Sequence, residues 1–362
     1  MTPCPADAIH RQIRLFHFCS WADRLEAADS FAQRLPALDL ATRVANPKDQ
    51  NLLRMARLDC DWHAAITHVL ATTQHASLSF LPAQVVGVQG LLDFARTPRP
   101  ANEEWWLVFE GHSPQKLAGT LSKLMPFLGR NGVRVLYYAF DEASRMMGCF
   151  RELAPFLSVL IHDEAPLDER QAAALPPTCT CIHRSWVANL VPFATPFNEN
   201  PEPKILFLGS KLGLTDHRKK QIAHLRKKFG DRFTAIHDHS VDVRELGGLN
   251  RYKVGVCPEG RKFTTPAMSA THTDRPFWSG CLGMVPVSED SKAGGRLEEL
   301  AKAGLILRYP HGDLDVLTAA CEQALALPNE TRSKIYDHFN HHETVGTVVA
   351  EAIAHTGRAP SQ

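Results

Sequence analysis

The residues best suited to chemistry lie between positions 250 and 290, in NRYKVGVCPEGRKF and then HTDRPFWSGCLGMVPVSED. Pro258, Glu259, Gly260 and Arg261 make one polar turn, and Thr273, Asp274 and Arg275 make a second. A carboxylate beside backbone amides can accept hydrogen bonds from sugar or ribose hydroxyls, while Arg261 and Arg275 can neutralise phosphate oxygens. The plainer alternatives are a surface pair of Glu259 with Arg261 or Lys262, and a helix cap from Thr273 or Asp274. Apolar runs flank these turns: residues 252–256 read as a buried strand, followed by a helix start and a second strand ending at Pro286. In an open parallel sheet, ligands bind beyond the carboxyl ends of the strands, where both turns fall.

A second strand end carries a related signal. KILFLGS, residues 204–210, ends on Gly209, which lets the backbone approach a phosphate, with Ser210 and Lys211 next in line. A basic helix follows over 216–229 and carries Arg218 near its start. The dinucleotide fingerprint G-x-G-x-x-G is absent, as is a G-x-x-x-x-G-K-[ST] loop, so a nicotinamide enzyme is the weaker reading. In the first half, acids close three strand-like runs: Glu110 with His112 in FEGHS, Asp141 with Glu142 in FDEAS, and Asp163 after His162 in IHDEAP. Singly, each reads as a loop carboxylate or cap.

The elements that must position these groups repeat a βα pattern. Strands are expected at 13–21, 105–109, 133–140 and within 156–166, with one more before Ile182 and a helix over 23–34. Gly129 and Gly132 should close the helix between the second and third of these strands. Strands that are buried without alternation indicate parallel sheets covered on both faces. Residues 191–204, VPFATPFNENPEPK, hold four prolines and read as a linker. The expected organisation is a domain over 1–190, a linker over 191–203, a second domain over 204–345 and a tail over 346–362. Strands FTAIHD and LILRYP, a helix to Leu327 and a last helix over 330–355 complete the second half.

Composition bounds the rest. A chain of 362 residues with 44% hydrophobic content can bury two cores. A net charge of +1 gives no field toward nucleic acid or acidic lipid. Basic runs such as Arg226-Lys227-Lys228 read as solvated helix faces. The first residues lack a signal-peptide pattern and no apolar run is long enough to span a membrane, so membrane contact would be at most peripheral. Nine scattered cysteines fit a reducing, cytoplasmic compartment, and the Cys179/Cys181 pair has no second pair to complete a zinc site. The histidines of HDHS and HFNHH read as surface residues, so no metal site is expected.

VANLVPFATPFNENPEPKILFLGS resembles the linker and donor-domain entry of GT-B-fold glycosyltransferases, especially the spore-maturation-protein type. YKVGVCPEG and DRPFWSGCLGMVPV resemble the matching blocks of exostosin-like transferases, and GLILRYPHGDLDVLTAACEQALALPNETRSKI their closing strand and helices. The resemblance covers residues 187–345; in the first half it is architectural only. It implies two Rossmann-like α/β domains with parallel sheets facing a cleft. It also implies hexosyl transfer from a nucleotide-diphosphate sugar to an acceptor (a polysaccharide, glycolipid or macromolecule), with neither metal nor cofactor.

On that resemblance, Gly209, Ser210, Lys211, Arg218, Pro258, Glu259, Gly260, Arg261, Thr273, Asp274 and Arg275 would hold the donor. The base would come from the first domain, among Glu110, His112, Asp141 and Asp163. One position departs from the pattern: Ser279 stands where the family carries an acid that holds donor hydroxyls. A nucleotide-sugar sensor with reduced catalysis is therefore the alternative.

Overall fold

The computed structural model describes residues 11–18, 78–81, 84–110, 118–139, 148–162, 167–184, 196–209, 215–236, 247–259, 275–290 and 295–356. Backbone contacts divide the chain into two units. One comprises Met1–His162, Leu167–His183 and Gly346–Gln362, the other Asp163–Pro166 and Arg184–Val345. The expected helix over 23–34 lies outside the described residues.

In the first unit the described elements are β1 (Arg11–Phe18), β2 (Leu78–Phe80), β3 (Gln84–Val86), α1 (Val88–Arg96), β4 (Glu103–Glu110), α2 (Ala118–Arg130), β5 (Arg134–Ala139), α3 (Gly148–Leu153), β6 (Val159–His162), α4 (Glu169–Ala174) and β7 (Thr180–His183). The strands form one sheet in the order β2-β1-β4-β5-β6-β7, with β3 also paired to β1. Every pairing is parallel. Strand residues Phe16, Phe18, Trp105, Leu107, Phe109, Val135 and Tyr137 meet Leu121, Met125 and Leu128 of α2 in one core. Gly132, at φ +69°, lets the chain leave α2, and its amide donates to the Gly129 carbonyl at 2.9 Å. Two ion pairs tie β1 to β4: Arg11 with Glu104, and Arg14 with Glu103 at 2.7 Å.

The second unit runs β8 (Glu202–Leu208), α5 (Asp216–Phe229), β9 (Phe233–Ile236), β10 (Tyr252–Cys257), α6 (Arg275–Cys281), β11 (Val285–Glu289), α7 (Gly295–Lys302), β12 (Leu307–Tyr309), α8 (Leu314–Ala326) and α9 (Asn329–His342). Its five described strands are ordered β12-β11-β10-β8-β9, all parallel. The chain adds β9 on one side of β8 and then crosses to build β10, β11 and β12 on the other. This reversal of strand order marks a Rossmann-like, doubly wound sheet. One core gathers Ile205, Phe207, Val254, Val256, Val285 and Val287 with the helices, and a smaller cluster holds Leu206, Leu249, Tyr252, Leu282 and Met284. Two Rossmann-like α/β units with parallel sheets are thus present, as expected.

Two elements differ from the sequence reading. The strand placed as ending at Pro286 begins at Val285 and continues to Glu289, because Ser288 and Glu289 are polar yet buried by tertiary structure. The single helix expected over 330–355 is two, α9 and α10 (Val345–His355). The break falls at Glu343, which leaves helical geometry at ψ +37° with its carboxylate enclosed against Arg296 and His338. From Gly346 onward the chain belongs to the first unit. There the Arg11 guanidinium donates to the Ile353 carbonyl, and that of Arg134 to the Thr356 hydroxyl at 3.3 Å.

α9 also secures the entry to the second unit. Arg332, fully buried, donates to the carbonyls of Gly283 at 2.9 Å and Asn198 at 3.1 Å and to the Asn329 side chain. Beside it Gly280 of α6 lies against the Phe339 ring so closely that a Cβ would collide.

Gly280→Val should therefore cost roughly 1–3 kcal/mol by overpacking, read as a lower urea midpoint at unchanged m-value. The hydrogen bond from Arg14, aided by Trp105 and opposed by partial burial, holds the Glu103 carboxyl down at about 2. A depressed carboxyl pKa gives stability that is complete above the unfolded value near 4.5 and lost as pH falls toward 2. Arg14→Met should flatten that acid limb in a pH series of denaturation curves.

Candidate functional site

The strand order of the second sheet reverses between β8 and β10, and a crevice opens outside the carboxyl ends of strands at such a point. β8 ends at Leu208 and leads into Gly209, while β10 ends at Cys257 and leads into Pro258 and Glu259. The strand ends at Gly209 and at Pro258–Glu259, both singled out in the sequence, therefore flank the same switch point. Gly209 holds its place by donating its amide to the Ile236 carbonyl of β9 at 3.0 Å.

Arg275, the first residue of α6, reaches this edge. Its Nε donates to the Leu208 carbonyl at 2.9 Å, and its guanidinium lies 5.8 Å from the centre of the Phe207 ring. Nη2 would be 3.5 Å from a Cβ built on Gly209, so the guanidinium borders the glycine directly. Nη1 is enclosed and has no hydrogen-bond partner among the described residues. An Arg held at one nitrogen, with another lacking a partner among the described residues, can receive an anion.

The other side of the crevice is organised by a residue that the sequence reading passed over. Glu289, at the end of β11, is fully buried. Its Oε1 accepts from the Gly312 amide at 2.8 Å and from the Gln221 side chain at 2.9 Å. The same oxygen lies 2.6 Å from His217 Nε2 and 3.0 Å from His311 Nδ1. Oε2 accepts the backbone N–H of Glu259 at 2.7 Å. One carboxylate thus ties α5, the turn after β10 and the turn after β12 to the end of β11. Gly312, at φ +75°, presents its amide in a conformation that L side chains rarely adopt. Tyr309 donates to the Gln221 carbonyl oxygen at 2.7 Å, and burial, reinforced by Glu289, pushes its phenol well above the usual range.

Arg218 lies next to this hub. Thr215 caps α5 by accepting from the Arg218 amide, and the Arg218 side chain is turned inward, with Nε donating to the Pro258 carbonyl at 3.0 Å. In this arrangement Arg218 fixes the Pro258–Glu259 turn. Glu259 is itself only 4% exposed.

Ser279 is fully enclosed in α6 and touches the Cα side of Gly255 on β10, with its hydroxyl 3.9 Å from Cys257 Sγ. A Cβ on Gly255 would collide with it, so the small pair sets how closely α6 approaches the sheet. Ser210, Lys211, Gly260, Arg261, Thr273 and Asp274 lie outside the described residues, as do His112, Asp141 and Asp163. Glu110 is the last residue of β4, at the carboxyl edge of the first sheet.

Gly209, Pro258, Glu259, Arg218 and Arg275 are brought to one edge of one sheet, whereas Glu289, His217, Gln221, Tyr309 and His311 were missed. The available signal was the polar pair Ser288-Glu289 after an apolar run at a strand end, the position that Glu259 holds after β10.

No family model and no curated protein matches this chain. Among solved structures, the spinosyn forosaminyltransferase SpnP is similar at 12% identity and a TM-score of 0.42, over 95% of this chain and 99% of that one. A UDP-forming α,α-trehalose-phosphate synthase from Burkholderia vietnamiensis is similar at 9% identity and a TM-score of 0.43, over 96% and 99%. A UDP-N-acetylglucosamine 2-epimerase is similar at 8% identity and a TM-score of 0.39, over 97% and 98%. At these values the likeness carries nothing about chemistry. No described helix is long and apolar enough to cross a membrane.

Glu289→Ala should cost roughly 2–4 kcal/mol in chemical denaturation, because the Glu259 and Gly312 amides and the Gln221 side chain lose their acceptor in a closed interior. A loss below about 1 kcal/mol would show that water replaces the carboxylate.

Proposed function

We propose that this protein is a glycosyltransferase that binds a nucleotide-diphosphate sugar at the carboxyl edge of its second sheet. The observation that carries the reading is the closeness of Gly209 to the Arg275 guanidinium, whose Nη1 has no partner among the described residues, at the topological switch point. The diphosphate would lie on the Gly209 backbone under Arg275, with Ser210 and Lys211 following in the chain. Charge that develops on the leaving diphosphate would then be met by a fixed guanidinium, without a metal ion on the phosphates. Glu259, held by Glu289 and by Arg218 through Pro258, would face donor hydroxyls, with Gly260, Arg261, Thr273 and Asp274 closing around them. Acceptor activation would fall to an acid or histidine of the first unit, among Glu110, His112, Asp141 and Asp163. The sequence resemblance to spore-maturation-protein-type and exostosin-like transferases supports the same assignment.

A second reading has its own observation. Ser279 fills the position of a donor-binding acid and is sealed against Gly255, so it offers no carboxylate to the donor. That favours a nucleotide-sugar sensor with reduced catalysis. Incubation with a panel of nucleotide sugars separates the two: slow donor hydrolysis marks the transferase, and tight binding without turnover under any acceptor marks the sensor.

Both readings require Arg275. Arg275→Ala should weaken uridine diphosphate binding by about tenfold or more in calorimetry, the worth of one charge-assisted contact, while the melting temperature moves little. Equal affinity in the two proteins would remove the diphosphate from this edge.

A further inference from the structure

We infer that His217, Glu289 and His311 form a binding site for a divalent first-row transition ion of the zinc class. One ligand atom from each lies within 4.8 Å of the other two, and no other group of this kind occurs among the described residues. Two imidazole nitrogens and one carboxylate oxygen are a donor set suited to zinc, which takes such ligands at about 2.0–2.2 Å.

Two features of the site favour a cation over a plain hydrogen-bond cluster. First, the Glu289 carboxylate is fully buried, yet among the described residues no Lys or Arg pairs with it. Its partners are two imidazoles, an amide side chain and two backbone N–H groups. Buried carboxylates are retained where a partner charge or a metal stabilises them.

Second, the contacts of His217 Nε2 conflict. It lies 2.6 Å from Glu289 Oε1 and 2.6 Å from Gln221 Nε2. A proton on Nε2 suits the carboxylate and meets the amide hydrogens; a lone pair suits the amide and faces the carboxylate. Turning the Gln221 amide over would set its oxygen against Glu289 Oε1, at the 2.9 Å its nitrogen now occupies, and would undo the bond that Tyr309 donates. A cation between Nε2, Nδ1 and Oε1 removes the opposition of lone pairs between the imidazole and the carboxylate, since all three then face the ion, while the Gln221 amide keeps its bond to Oε1.

The site also has room for the exchange. The side chains of His217 and His311 are 23% and 36% exposed, which leaves an open side for a water ligand. Their rings are stacked with centroids 4.2 Å apart. Binding would tilt them apart and separate the ligand atoms to about 3.3 Å, the edge of a tetrahedral zinc site. β10 lies between β11 and β8 in the sheet, so this cluster and the Gly209–Arg275 edge are different places. The ion would join α5, the end of β11 and the turn after β12; it is not assigned to the diphosphate.

The test is retention of metal by the full chain after stripping with chelator, loading with Zn²⁺ and exhaustive dialysis. Mass spectrometry of the metal should find about one ion per chain, and Co²⁺ loading should give the intense visible band of a low-symmetry site. His217→Ala and His311→Ala should each weaken Zn²⁺ affinity by about 30-fold or more in calorimetry, with metal-free melting temperatures confirming that both variants fold. His342→Ala, at an exposed position on α9, should retain the ion. An unloaded wild type, or retention unchanged in the double variant His217→Ala/His311→Ala, overturns the site. The readout is metal content, so its failure leaves the nucleotide-sugar reading standing, and the reverse also holds.

Discussion

The second unit is organised around a buried negative charge. Taking the Glu289 carboxylate out of water is costly unless each of its lone pairs finds a donor. The donors come from three segments far apart in sequence: Gln221 of α5, the Glu259 amide after β10 and the Gly312 amide after β12. None of these can move without leaving the carboxylate short of partners. The constraint therefore fixes the two turns that border the carboxyl edge of the sheet, and with them the backbone of Glu259. Gly312 at positive φ and the inward Arg218 on the Pro258 carbonyl serve the same arrangement.

The same logic recurs at the opposite end of the unit. Arg332 is fully buried and is satisfied by the Gly283 and Asn198 carbonyls and by Asn329 rather than by a carboxylate. Burial lowers its pKa, the expected direction for a cation removed from water without a counter-charge. Glu343 sits at the break between α9 and α10. Burial raises its carboxyl pKa, but hydrogen bonds from His338 and Arg296 outweigh that and hold it below the usual value. Buried charges thus mark both the edge where loops gather and the point where the chain leaves this unit for the first.

The carboxyl edge is polarised as a consequence. At β8 the Arg275 guanidinium borders Gly209, a setting for anions. At β11 and β12 the groups are Glu289, the two histidines and Tyr309, a set of oxygen and nitrogen donors around a buried carboxylate. The Pro258–Glu259 turn stands between them on β10.

Much of this was legible in the residues. Apolar runs bounded by glycine and proline located β4, β5, β8 and β10 to within a few residues, and Asp216 to Phe229 matched its helix at both ends. Periodicity and turn chemistry are local, and a single sequence carries them. Gly209, Pro258, Glu259 and Arg275 were picked out because strand-end polar residues are conspicuous against an apolar background. Glu289 escaped because a polar residue after Val287 reads as the end of a strand until the turn after β12 and α5 are folded over it. The contact of Arg218 with Pro258 escaped for the same reason, since the two lie 40 residues apart. Sequence alone determined the βα pattern, most of the elements and many of the residues at their ends. Only the tertiary structure decided which of those ends share an edge and which charges are buried there, because long-range donors set the cost of burying a charge and no local pattern records them.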